Sequence, residues 1–273
     1  MKAFVALVVC LLLILGLAYP ATCADRKFPY ADAVPFLGIE EASKELKKAV
    51  CAVQLAGEPT KDGKNTWVAL GSGFLINGER DVLLAVTCKH VVLPAVNQKK
   101  LLYIGIDTDK GYHRAPCDVA YIDPSLDIAV LLPKRDLRDD RKLQSLSFDK
   151  SLFDDNSSLV EGRGVIIPGY PLALGIEDDQ NHPVIRFGIV AQFTGKDYFL
   201  LDGVASQGNS GSPVFSLKQD ENRLIGMVTS FQNDTIDLFD KEQRLSARLP
   251  YNSGLARCVT MKAILSAVKN AKY

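Results

Sequence analysis

Ser210 stands in the stretch DGVASQGNSGSPVF, residues 202–215, between Asn209 and Gly211 and just before an abrupt return to apolar residues. A hydroxyl in that setting is either a nucleophile toward a carbonyl carbon or part of a tight turn between two strands. To be a nucleophile it needs a base to take its proton and a group to orient that base. The chain has three histidines, His90, His113 and His182, all upstream of Ser210. That order narrows the scaffold. An α/β-hydrolase places its histidine after the serine and reads G-x-S-x-G at the nucleophile, whereas this chain reads G-N-S-G-S with no later histidine. A subtilisin-type order needs an α/β scaffold, and no alternation of strands and helices runs through the chain. The order that remains is His, Asp, Ser on paired β-barrels.

His90, in LLAVTCKHVV, falls where an apolar strand meets a polar break before a second apolar pair, a place from which an imidazole can emerge into a cleft. His113 in DKGYHRAP and His182 in DDQNHPV lie in polar loops and read as solvent-facing. Asp127 immediately precedes the apolar run IAVLL, where a carboxylate is costly unless it is paired, and an imidazolium would be such a partner. Asp123, in the turn before it, fits a capping role better. The glycines at 208 and 211 allow positive φ and close approach, so the amides of Gly208 and Ser210 can converge on an oxyanion. No pair among His90, His113 and the cysteines has ligand-type spacing, so no metal is expected.

The elements that must hold these residues are mostly strands. The opening MKAFVALVVCLLLILGLAYPATCA reads as a secretory signal over residues 1–24, cleaved after Ala24, with an uncleaved membrane anchor as its rival. The rest is expected to be exported, to the periplasm or the medium. Lys plus Arg equals Asp plus Glu at 32 each, which gives no reason to expect nucleic acid or an anionic membrane as partner. Four cysteines follow the signal, Cys51, Cys88, Cys117 and Cys258, enough for up to two disulfides in an oxidising compartment. NSS at Asn156 and NDT at Asn233 are glycosylation acceptors in a eukaryotic host. EEASKELKKAV predicts a short helix near residues 40–48, acidic first and basic last. Short β-branched runs then follow in two blocks of about six, over about 49–133 and 159–260, joined by a charged connector over 134–158. Two β-barrels or one large sandwich would satisfy that pattern. NDTIDLFDKEQRLSAR reads as a polar hairpin loop, and MKAILSAVKNAKY as a C-terminal helix over about 261–272.

GSGFLI (71–76), TCKHVV (87–92), DPSLDIAVL (123–131), PGYPLALG (168–175), FGIVAQF (187–193), QGNSGSPVF (207–215) and LIGMVTS (224–230) occur in the order found in trypsin-like serine peptidases, and resemble most their HtrA/Deg branch. The resemblance implies an all-β chymotrypsin fold of two six-stranded antiparallel barrels. It implies a serine endopeptidase acting on a protein or peptide, with no cofactor. It makes His90 the general base, Asp127 its orienting carboxylate, Ser210 the nucleophile, and the Gly208 and Ser210 amides the oxyanion hole. It places Val204 at the base of the primary specificity pocket, Thr229, Ser230 and Phe231 along its wall, and the Thr229 hydroxyl against the triad aspartate. Val204 in place of an acid implies small or medium apolar residues before the scissile bond. Ser212 stands where the family usually has glycine, and Lys89 where it has a small or polar residue. With 63 residues after Ser210, no PDZ module is expected. The other-class expectation is a catalytically silent relative that binds peptides in the same cleft.

Overall fold

The structure, a computed structural model, describes residues 43–44, 46–78, 82–108, 111–134, 160–176, 182–217 and 223–273. The leading segment read as a signal, most of the charged connector and Asn156 lie outside them. Residues 43–44 and 46–48 are helical, within the stretch expected to be.

Short runs of valine, isoleucine and leucine form strands because a β-branched side chain packs well on a pleated, half-buried surface. Six of them, β1 (Val50–Ala56), β2 (Trp67–Asn77), β3 (Leu83–Thr87), β4 (Leu102–Thr108), β5 (Gly111–Ile122) and β6 (Ala129–Pro133), close into a barrel in the order β1-β2-β3-β6-β5-β4. A second set, β7 (Gly164–Gly169), β8 (Val184–Phe193), β9 (Tyr198–Asp202), β10 (Pro213–Ser216), β11 (Arg223–Phe239) and β12 (Leu245–Thr260), closes in the order β10-β11-β12-β9-β8-β7. Every pairing in both barrels is antiparallel. Closure decides between the two architectures left open by periodicity, because it removes the free edges a sandwich would keep.

Two buried clusters fill the barrels, the first also taking Phe215, Met227 and Val259 from the second set of strands. Phe74, Leu75, Ile76, Leu84 and Ile104 sit in the first, and Val165, Phe199, Leu201 and Val228 in the second. Helix α2 (Met261–Asn270) is capped by Thr260, whose Oγ1 accepts from the Ala263 amide at 3.4 Å. Its buried face of Met261, Ala263, Ile264, Ala267 and Val268 joins the core of the first barrel, so the chain's last helix ties the second barrel to the first. Among the described residues no helix is long and apolar enough to cross a membrane.

Three expectations change. Most of the stretch read as a polar hairpin loop is strand: β11 and β12 stay paired from Asn233↔Asn252 to Phe239↔Leu245, and only residues 240–244 form the turn. Arg248 Nε donates across the strands to Asp237 Oδ1 at 2.9 Å, and Arg244 bonds Asp240 and Glu242 within the turn, so polarity here marks a solvated ribbon. His113 is half-buried on β5, with its Nε2 enclosed and unpartnered among the described residues. Cys51, Cys88, Cys117 and Cys258 form no disulfide; all are buried and free. Burial disfavours their thiolates, and it pushes the Cys117 thiol up to about 12.

Candidate active site

Strand β3 delivers the chain to Cys88, whose extended backbone (φ −79°, ψ 145°) caps helix α1 (Lys89–Gln98), and His90 is the second residue of that helix. The sequence reading had the chain resume here as strand. Val91, Val92 and Ala95 instead bury one side of a helix, and that burial outweighs the β preference of two adjacent valines. The His90 ring is thereby held at the helix start, half-exposed.

Asp127 lies in the bend just before β6. Its Oδ2 accepts from His90 Nδ1 at 2.7 Å, and its Oδ1 accepts from the His90 backbone N–H at 2.9 Å. A carboxylate can only accept, so this partner keeps the proton on Nδ1 and leaves the Nε2 lone pair available. Burial raises the Asp127 pKa, but the two hydrogen bonds from His90 and the charges of His90 and Lys89 outweigh it and hold the group below the ordinary aspartate value. Asp123 caps the turn, its Oδ1 accepting from the amides of Ser125 and Leu126 at 2.8 Å each.

Lys89 clips this turn to the helix. Its Nζ donates to the Asp123 carbonyl at 2.9 Å, and its charge lowers the Asp127 pKa. Lys89→Met is expected to destabilise the fold by about 1–2 kcal/mol at neutral pH. An aspartate whose folded pKa is depressed contributes stability that is present above its unfolded value and lost as pH falls through the folded one. The charge part of the deficit therefore disappears in acid, and only the lost carbonyl bond remains. Melting curves from neutral pH down through the carboxylate range should show the gap between variant and parent narrowing.

The nucleophile loop needs glycine at two positions. Gly208 (φ +89°) and Gly211 (φ +90°) take left-handed backbone, and a Cβ would overlap the Tyr170 carbonyl oxygen at the first and the Ser72 carbonyl oxygen at the second. Ser72, from β2 of the first barrel, holds the loop from below. Its amide donates to the Ser210 carbonyl at 2.8 Å, its hydroxyl donates to the Gly208 carbonyl at 2.6 Å and accepts from the Tyr170 amide at 2.9 Å. Its own carbonyl accepts from Thr87 Oγ1 at 2.7 Å. The Gly208 and Ser210 amides donate to no group among the described residues. Ser210 Oγ donates to the Thr229 carbonyl at 3.3 Å.

Ser212, where the family usually has glycine, is fully buried. Its amide donates to the Asn209 carbonyl at 2.8 Å, and its carbonyl accepts from the Val228 amide at 2.9 Å. Space for the extra hydroxyl comes from the missing side chain at Gly169, where a Cβ would overlap Ser212 Oγ. Gly169→Ala is expected to cost about 1–3 kcal/mol, and adding Ser212→Gly should recover most of it. Denaturant midpoints of the two single variants and the pair test this coupling.

His90, Asp127, Gly208, Ser210, Thr229, Ser230 and Phe231 line one cleft of about 770 Å³. Two sequence-stated positions behave differently. Val204 is 56% exposed and does not line the cleft; its carbonyl accepts from Arg186 Nη1 at 2.7 Å. The Thr229 hydroxyl turns away from Asp127 and donates to the Arg257 carbonyl at 3.0 Å, because β12 lies on that side of β11. Ser72 was not singled out, although a buried polar residue between two glycines in GSGFLI is a legible signal. Cys88 Sγ, His90 and Asp127 bring their ligand-type atoms within 4.8 Å of one another. Burial holds the Cys88 thiol far above its ordinary range, so it stays protonated and donates to the Val228 carbonyl at 3.3 Å.

Two closed antiparallel barrels with an imidazole–carboxylate pair and a serine on one cleft define the class, and comparison with known proteins agrees. Residues 71–227, more than half of the chain, match the model of the trypsin-like peptidase domain, and the chain belongs to that family. It is similar to serine protease HTRA3 of Rattus norvegicus, 28% identical over 204 residues that make up 70% of this chain and 39% of that protein. The chain thus spans well under half the length of this curated relative. In structure it is similar to the HtrA-type protease AlgW with decapeptide, with a TM-score of 0.56 over 84% of this chain and 67% of that one. The sequence identity there is 16%, so this likeness speaks for the fold.

Proposed function

We propose that the chain is an exported serine endopeptidase working through an acyl-enzyme intermediate. The observation that carries the reading is the His90–Asp127 pair, with Nδ1 committed to the carboxylate, on the same cleft as a serine whose own amide and that of Gly208 are unengaged among the described residues. Rotation about its Cα–Cβ bond moves Ser210 Oγ from the Thr229 carbonyl toward His90. Nε2 takes the hydroxyl proton as oxygen attacks the peptide carbonyl, and the imidazolium then gives that proton to the leaving amine. Asp127 holds the ring and balances its charge. The Gly208 and Ser210 amides receive the oxyanion, each such donor being worth about 10²–10³ in turnover. Water then repeats the sequence on the acyl-enzyme. Phe231, with Thr229 and Ser230, forms the wall against which the residue before the scissile bond rests, which suits small or medium apolar side chains.

A fluorophosphonate probe is expected to label the folded protein at Ser210 and to leave Ser210→Ala unlabelled. Absence of labelling on well-folded protein would refute the peptidase reading and leave a peptide-binding relative. Export rests on the leading segment, and the amino-terminal residue of protein recovered from the medium or periplasm tests it: Asp25 is expected.

A further inference from the structure

Beyond the cleft, β11 does not stop. It is paired with β10 only as far as Met227, and from Ser230 onward its edge opposite β12 is bonded to no other strand of the described residues. The strand runs on to Phe239. At about 3.4 Å per residue that unpaired edge extends about 34 Å. It begins inside the cleft, since Ser230, Phe231 and Asn233 line it beside Ser210. An isolated two-stranded ribbon is marginal in water, and an unpaired edge is a template for another extended chain.

The ribbon's faces are unlike. Register places Ile236 opposite Leu249 and Leu238 opposite Ala247, with Tyr251 opposite Asp234 on the same side. Ile236, Leu238, Leu249 and Tyr251 are 50%, 42%, 51% and 42% exposed. The other face carries the Asp237–Arg248 ion pair and, beside the turn, exposed Phe239 opposite Leu245. One side of the ribbon is thus an apolar stripe, with nothing from the described residues over it.

We infer that this ribbon is an extension of the peptide site: the segment of a substrate N-terminal to the scissile bond pairs along the β11 edge and sets apolar side chains, at every second position, against the stripe. The direction follows from the sheet. All pairings here are antiparallel, and a chain antiparallel to β11 with its scissile bond at Ser210 has its N-terminal side at Phe239. The occupant is an unfolded or extended polypeptide of about ten residues upstream of the cut, because only an extended chain offers backbone groups over that length. The inference rests on the peptidase reading for its direction but is measured without cleavage.

The test uses full-length Ser210→Ala protein and fluorescent peptides, with the same residues across the cut and upstream arms from about three to about twelve residues of alternating leucine and threonine. Anisotropy should show affinity rising about tenfold or more with arm length and levelling near ten residues. In Leu238→Asp/Leu249→Asp the long peptide should fall to the affinity of the short one, as it should when residues 234–251 are replaced by an Asn-Gly turn. A series flat with length in the parent overturns the inference. So does light scattering showing a dimer that both ribbon changes abolish, since the stripe would then be covered by a second copy. Length-dependent binding without probe labelling of the parent would remove the peptidase reading and keep the ribbon as a peptide site; labelling with a flat series would do the reverse.

Discussion

Ser210→Ala and His90→Ala are each expected to lower kcat for a cleavable peptide by about 10⁶-fold, and the double variant to lower it no further. Proton transfer and nucleophilic attack are one event, so removing either partner removes the whole of it. His90 leaves little else behind, since its ring is half-exposed and, among the described residues, its one ring bond is to Asp127. Both variants should keep the parent's circular dichroism and melting temperature within a few degrees. Single-turnover rates on peptide, with folding checked in parallel, separate chemistry from stability. If the two losses multiplied in the double variant, the two side chains would not be acting as a unit.

Asp127→Asn is expected to cost about 10⁴-fold in kcat with a small change in KM. An amide can turn its NH₂ toward Nδ1, which then becomes the acceptor and puts the proton on Nε2, where it blocks the transfer from Ser210. The substitution also alters the acid response. Because the Asp127 pKa is lowered in the fold, its ionisation adds stability above the unfolded aspartate value and loses it as pH falls through the folded one. The stability gap between parent and variant should therefore be widest near neutral pH and close in acid. Melting temperature as a function of pH reads this directly. A gap that persisted unchanged below the carboxylate range would mean that the loss is one of packing.

The residues of this pair were legible because chemistry restricts them: three histidines upstream of Ser210 and one aspartate at the start of a buried strand left few triads to build. The strands were legible for a similar reason, since alternating β-branched runs have few other uses. What the sequence hid was decided by neighbours far along the chain. Val91 and Val92 prefer strands, and only the core they meet makes them helix. NDTIDLFDKEQRLSAR looks like a loop until Asp237 is seen across from Arg248 and Ile236 across from Leu249. The direction of the Thr229 hydroxyl depends on Arg257, residues away on β12, and the exposure of Val204 on how the loop after β9 turns. Ser212 looked like a departure from a glycine position, and the compensating absence of a side chain lies at Gly169, on another strand.

Ser72 makes the nucleophile loop depend on the other barrel. It sits on β2, yet its amide and hydroxyl hold Ser210, Gly208 and Tyr170 from the second half of the chain. The first core in turn is filled only when Phe215, Met227 and helix α2 reach it, so neither barrel is finished alone. Under the proposed function, a nascent or half-unfolded copy would hold its base and its nucleophile apart, and cutting would wait until both barrels had met.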